Sequence, residues 1–98
     1  MGLTITLEGE NGNNIYSISE ALNYSFLEKI DFSKYKLIKY LDSYGDTVFN
    51  HLQMEDLITD FALLEKEIIN QKELIKEIIQ LAQRCKDGIH TYLKFYGD

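Results

Sequence analysis

Apolar and polar positions alternate at the start of the chain, where Leu3, Ile5 and Leu7 interleave with Thr4, Thr6 and Glu8. That period of two predicts a strand with one dry and one wet face. Gly9 to Asn14 concentrates residues that tolerate a positive φ, and Ile15-Tyr16-Ser17-Ile18 follows, so the pattern predicts a hairpin and a short second strand. Ser17-Ile18-Ser19-Glu20 then has the Ser-x-x-Glu form of a capping box. Ile18, Ala21, Leu22, Ser25, Phe26 and Ile30 continue at helical spacing, which predicts a first helix over about Ser19 to Lys29. Leu37 to Leu41, rich in β-branched and aromatic residues, reads as a third strand closed by the polar turn Asp42 to Asp46, with Gly45 supplying a positive φ.

From Met54 the apolar positions run Leu57, Phe61, Leu64, Ile68, Ile75, Ile78, Ala82 and Cys85 in steps of three and four, with Gln71 as one polar member. A single helix over 54–86 would be about 50 Å long at ~1.5 Å per residue. A domain of this size has a diameter of about 33 Å, from a radius of gyration near 13 Å. Two arrangements accommodate the seam: a helical hairpin broken near Asn70, or one helix pairing with a second copy. Asn70 with Glu73, and Asn50 with Gln53, have the form of helix starts and favour the hairpin. Asp87-Gly88 with Arg84 and Lys86 marks the end of the last helix, with Gly88 in a left-handed C-terminal position. Thr91 to Tyr96 alternates again, placing Leu93 and Phe95 inward in a final strand paired with the first or third. The expected fold is α+β: a small, mostly antiparallel sheet in the order β-β-α-β-α-α-β, covered on one face by helices, the last two an antiparallel hairpin. All 98 residues form one domain.

Composition narrows the function classes. Sixteen acidic against ten basic residues leave a net charge of -6, which argues against nucleic-acid binding. One cysteine gives neither an internal disulfide nor a zinc site. Residues 1–6 carry no export signal, and no stretch approaches the roughly 20 apolar residues of a bilayer span, so a cytoplasmic, non-membrane protein is expected. Nucleotide-binding, hydrolase and zinc-protease motifs are absent, and no catalytic residue, cofactor or metal is assigned. The polar stretch Asp42 to His51 is the densest candidate site, with Tyr44, Asp46 and His51 projecting towards a ligand or protein partner. The competing reading makes Asp42 and Asp46 turn formers and Asn50 a helix cap. His90 and His51 each begin a regular element; were the last two strands adjacent, both could approach Asp42 and Asp46 and form an acid-base group. Cys85 falls on the apolar stripe and reads as a core residue. Of seven tyrosines, Tyr40, Tyr92 and Tyr96 share a strand parity that would line an open sheet face beside Lys39 and Lys94.

Two blocks carry a resemblance: Tyr44-Gly45-Asp46-Thr47-Val48-Phe49-Asn50, and the ending Tyr92-Leu93-Lys94-Phe95-Tyr96-Gly97-Asp98. Together they resemble a family of small bacterial proteins of about this length with no established activity. The resemblance implies a bacterial single domain and points to the Asp42–Asn50 loop and to Gly97-Asp98. The first functional expectation is a non-enzymatic protein-binding domain, of the immunity or antitoxin type, whose acidic surface covers a basic partner. The alternative is a self-associating homodimer built through the helical seam. A third reading, a small enzyme or metal-binding protein, uses Asp42, Asp46, His51 and His90 as acid-base or metal groups.

Overall fold

In a computed structural model the chain folds as the expected α+β domain; residues 2–23, 30–68 and 70–97 are described. The strands are β1 (Gly2–Gly9), β2 (Asn14–Ser17), β3 (Leu22–Asn23), β4 (Asp46–Asn50) and β5 (Thr91–Tyr96), and the helices α1 (Met54–Glu67) and α2 (Lys72–Asp87). All pairings are antiparallel, in the order β2-β1-β5-β4, with β3 continuing along the β2 side of β1. The last strand therefore fills the centre of the sheet.

Strand alternation sends Leu3, Ile5, Leu7, Phe49, Leu93 and Phe95 to one face, where all are at most 3% exposed. The helices cover that face: Phe61 of α1 stacks on Phe95 with ring centroids 6.0 Å apart, while Phe49 meets Phe95 edge-on at 5.8 Å. The seam from Met54 to Cys85 is buried within one chain. Its apolar members pack into the core of the single chain. The chain breaks into two helices, as the hairpin arrangement requires, and fits a body 35 Å in its longest dimension. Acidic residues open each helix (Glu55, Asp56; Glu73) and basic ones close it (Lys66; Arg84, Lys86), which suits the helix dipole.

The corner between the helices differs from the expected Asn70 cap. Gln71 takes a left-handed φ of 62° immediately before α2 and makes no side-chain cap. Its amide instead holds the segment after β2. Gln71 Oε1 accepts from the Asn23 N–H at 2.8 Å, and Nε2 donates to Glu20 Oε2 and the Ala21 carbonyl, both at 2.9 Å.

Three further elements correct the sequence reading. Residues 18–23 do not begin a helix: the Ile18 N–H donates to the Ile5 carbonyl and Leu22 pairs with Leu3, because both apolar side chains bury against the sheet. The rest of that predicted helix, 24–29, lies outside the described residues. The expected third strand at 37–41 is a short 3-10 turn, Ile38–Tyr40. Its cause is the buried Asp60 of α1, whose carboxylate accepts from the Lys36, Leu37 and Ile38 N–H groups at 3.1, 2.7 and 3.1 Å. The strand in question forms later, as β4, within the stretch read as turn and cap. At the end of α2, Gly88 is extended (φ -92°) rather than left-handed, and the positive φ falls on His90.

Candidate functional site: the open face of the sheet

With the helices on one side, the other side of the sheet is formed by Thr4, Thr6 and Glu8 of β1, Tyr92, Lys94 and Tyr96 of β5, and Asp46, Val48 and Asn50 of β4. At its centre lies a polar cluster. Glu8 and Thr6 are only 8% and 6% exposed. Glu8 Oε2 accepts from the Thr6 hydroxyl at 2.7 Å and from the Tyr96 hydroxyl, and Oε1 lies 3.7 Å from Lys94 Nζ. Lys94 in turn sits 5.0 Å from the centroid of the Tyr96 ring. Burial pushes the Glu8 carboxyl up, but the Tyr96 and Thr6 hydroxyls and the Lys94 ammonium together hold it below the usual range. The Glu8 carboxyl is thus held ionised, paired with the Lys94 ammonium.

Because the folded carboxyl titrates below its unfolded value, this interaction is fully present above the unfolded value near 4.5 and is lost as pH falls through the folded one. Glu8→Gln is expected to lower stability by about 1–2 kcal/mol at neutral pH, the range of charge-assisted hydrogen bonds. Urea titrations at pH 7 and at pH 3 test this: the difference between wild type and variant shrinks at the lower pH. An equal difference at both would mean that Glu8 contributes only packing.

Beside the cluster runs a shallow groove of about 220 Å³ lined by Glu8, Glu10, Val48, Tyr92 and Lys94, among others. A second depression, between β2 and α2, is lined in part by Tyr16 and Glu77, and there the Tyr16 hydroxyl already donates to Glu77 at 3.2 Å.

The expected site residues fall into two groups at opposite ends of the sheet. Asp46 pairs with Tyr96, and Asp42 and Tyr44 lie in the preceding turn. His51 follows Asn50, which pairs with Tyr92, and His90 precedes β5 with Nδ1 4.0 Å from Glu10 Oε2. Four steps along β4 lead from Asp46 to Asn50, roughly 13 Å at ~3.3 Å per residue. The acid-base group of Asp42, Asp46, His51 and His90 is therefore not assembled, although β4 and β5 are adjacent. Among the described residues no cluster of three or more His, Cys, Asp or Glu could hold a metal ion, and no helix is long and apolar enough to cross a membrane.

Asp42 is a turn former, accepting from the Tyr44 N–H at 2.9 Å. Gly45 has no positive φ; a Cβ there would lie 2.8 Å from the Asp42 carboxylate. Asn50 and Gln53 make the reciprocal capping box that their spacing predicts. The Cys85 thiol is buried, donates to the Thr91 carbonyl at 3.5 Å, and is pushed up by burial, so it belongs to the core. Tyr40, in its 3-10 turn, is not part of the sheet face. The two blocks named above are neighbours: β4 pairs with β5, and the Gly97 N–H donates to the Gly45 carbonyl at 2.8 Å. Only glycine fits there, since a Cβ on Gly97 would come within 2.6 Å of the Asp42 and Ser43 carbonyl oxygens.

Glu8 is the residue that the sequence reading missed. Its alternation with Thr4 and Thr6 marks the wet face of β1, but only the β1–β5 register brings Tyr96 and Lys94 to it. Comparison with protein-family models, curated proteins and solved structures returned no match to this chain.

Proposed function

We propose that this chain is a non-catalytic protein-binding domain that presents the open face of its sheet to a basic partner, as an inhibitor of the immunity or antitoxin type would. The observation that carries this reading is the groove beside the Tyr92 ring, where the carboxylates of Glu8 and Glu10 outnumber the single ammonium of Lys94. A guanidinium or ammonium entering the groove would meet the exposed Glu10 carboxylate and the Tyr92 ring, the chemistry of a binding hot spot, with Lys94 held back by its pairing to Glu8. The net charge of -6 adds a long-range field that speeds encounter with a basic surface. Asp46 and Tyr96 at one end of the face, and His90 with Glu10 at the other, would form its rim.

The test is affinity capture of the partner from the host cell, followed by calorimetric titration with two variants of equal charge change. Glu10→Lys combined with Tyr92→Ala alters the groove; Glu73→Lys alters the exposed start of α2. The groove variant is expected to weaken binding by roughly tenfold to hundredfold, the range of hot-spot truncations, and the helix variant to leave it nearly unchanged. Equal binding by the groove variant and the wild type would refute the reading.

A further inference from the structure

The two edges of the sheet are built differently. The β2 side is bulged between Leu7 and Glu8, interrupted between Ser17 and Leu22, and tied down by Gln71. β4 runs in unbroken register with β5 from Asp46 to Asn50. The Gly97-to-Gly45 bond fixes which of its backbone groups face outward. Since hydrogen-bonded pairs alternate along an antiparallel ladder, Thr47 and Phe49 bond to β5, and the N–H and C=O of Asp46, Val48 and Asn50 point away from it. The Asn50 N–H is taken by Gln53 Oε1 at 2.9 Å. Among the described residues no strand pairs with this outer edge.

Edge strands are ordinarily protected by proline, lysine or a bulge. β4 has none of these, and its one charged residue is Asp46, at its first position. Its central residue, Val48, is 49% exposed, and it is flanked by Tyr44 and Leu52 at 75% and 79%. The apolar surface thus lies along the outward N–H and C=O groups of Asp46 and Val48.

We infer that β4 pairs antiparallel with the β4 of a second copy of this chain, about a two-fold axis at Val48. The edge is complementary to itself in this register. Val48 faces Val48 and exchanges both backbone bonds, and Asp46 comes opposite Asn50, whose N–H and C=O already serve the turn that it caps. The Asn50 N–H keeps its cap. Asp46 faces a neutral Asn50 instead of a second carboxylate, and the Tyr44 turn of each copy meets the Leu52 turn of the other. The two sheets become one, with the open faces continuous across the axis. This inference is independent of the partner-binding reading and differs from a seam-built dimer in using an edge with which no described strand pairs.

Light scattering behind size exclusion across a wide concentration range tests it. The mass is expected to rise from 11.4 kDa towards twice that value, and more readily at higher salt, which screens repulsion between two acidic copies. Val48→Lys places like charges on the axis and is expected to raise the dimer dissociation constant at least about tenfold, with an unchanged circular dichroism spectrum. Val48→Cys supplies a second reading, because Cα atoms about 5.5 Å apart in a hydrogen-bonded pair permit a disulfide. Oxidation is expected to give a dimer linked through position 48 alone, Cys85 being buried. A wild-type mass that stays at 11.4 kDa up to about 1 mM, or a dimer that Val48→Lys leaves equally tight, or the absence of the 48–48 link in such a dimer, would overturn the proposal.

Discussion

Asp60→Ala is expected to cost about 3–5 kcal/mol of stability, the range for dismantling a buried polar network. The side chain is 3% exposed, and its two oxygens take the Lys36, Leu37 and Ile38 N–H groups. Alanine removes the acceptor of all three donors at once. The loss reaches beyond the turn, because Tyr35 and Ile38 enter the core on either side of it, 2% and 1% exposed. Asp60→Asn restores the shape but presents an N–H₂ group to N–H donors, and is expected to recover less than half of the loss. Urea unfolding measures both variants. A loss below about 1 kcal/mol for alanine would mean that water satisfies the turn and that Asp60 does not organise it.

Phe95→Ala is expected to be as damaging, at about 3–5 kcal/mol for truncating a buried aromatic residue. Phe95 is fully buried in the central strand, stacked on Phe61 and met edge-on by Phe49. Removing it opens a cavity between sheet and helices that rigid elements on both sides cannot close. Phe95→Leu refills part of that space, and its expected loss is about half as large. Comparable losses for the two variants would show that ring geometry, not volume, sets the cost. The denaturant midpoint should fall with little change in slope, since the surface exposed on unfolding is almost the same.

What the sequence made legible, and what it hid, follows from where each segment finds its determinants. β1, the hairpin, α1, α2 and β5 carry their own periodicity, and the Asn50–Gln53 box carries its own cap, so local pattern sufficed. The turn at Ile38–Tyr40 has the composition of a strand. It is curled by a carboxylate more than twenty residues away in sequence, which no local pattern reveals. Residues 18–23 have helical spacing, but Ile18 and Leu22 satisfy the sheet edge equally well, and Gln71 holds the extended form. β4 escaped notice because an edge strand with one open face needs only one well-buried residue, Phe49, among polar neighbours. The same limit applies to the site. Alternation identified Tyr92 and Tyr96 as wet-face residues, but the register that brings them to Glu8, and that separates Asp46 from His51, is a property of pairing.

The open face is the centre of this account, and radical footprinting of the partner complex tests it most directly. Oxidation of Tyr92, Tyr96 and Val48 is expected to fall on binding, while Tyr16 and Phe32, which lie off that face, keep their free rates. Unchanged oxidation of Tyr92 and Tyr96, with protection of Tyr16 instead, would place the partner over β2 and α2 and contradict the assignment of the sheet face as the binding surface.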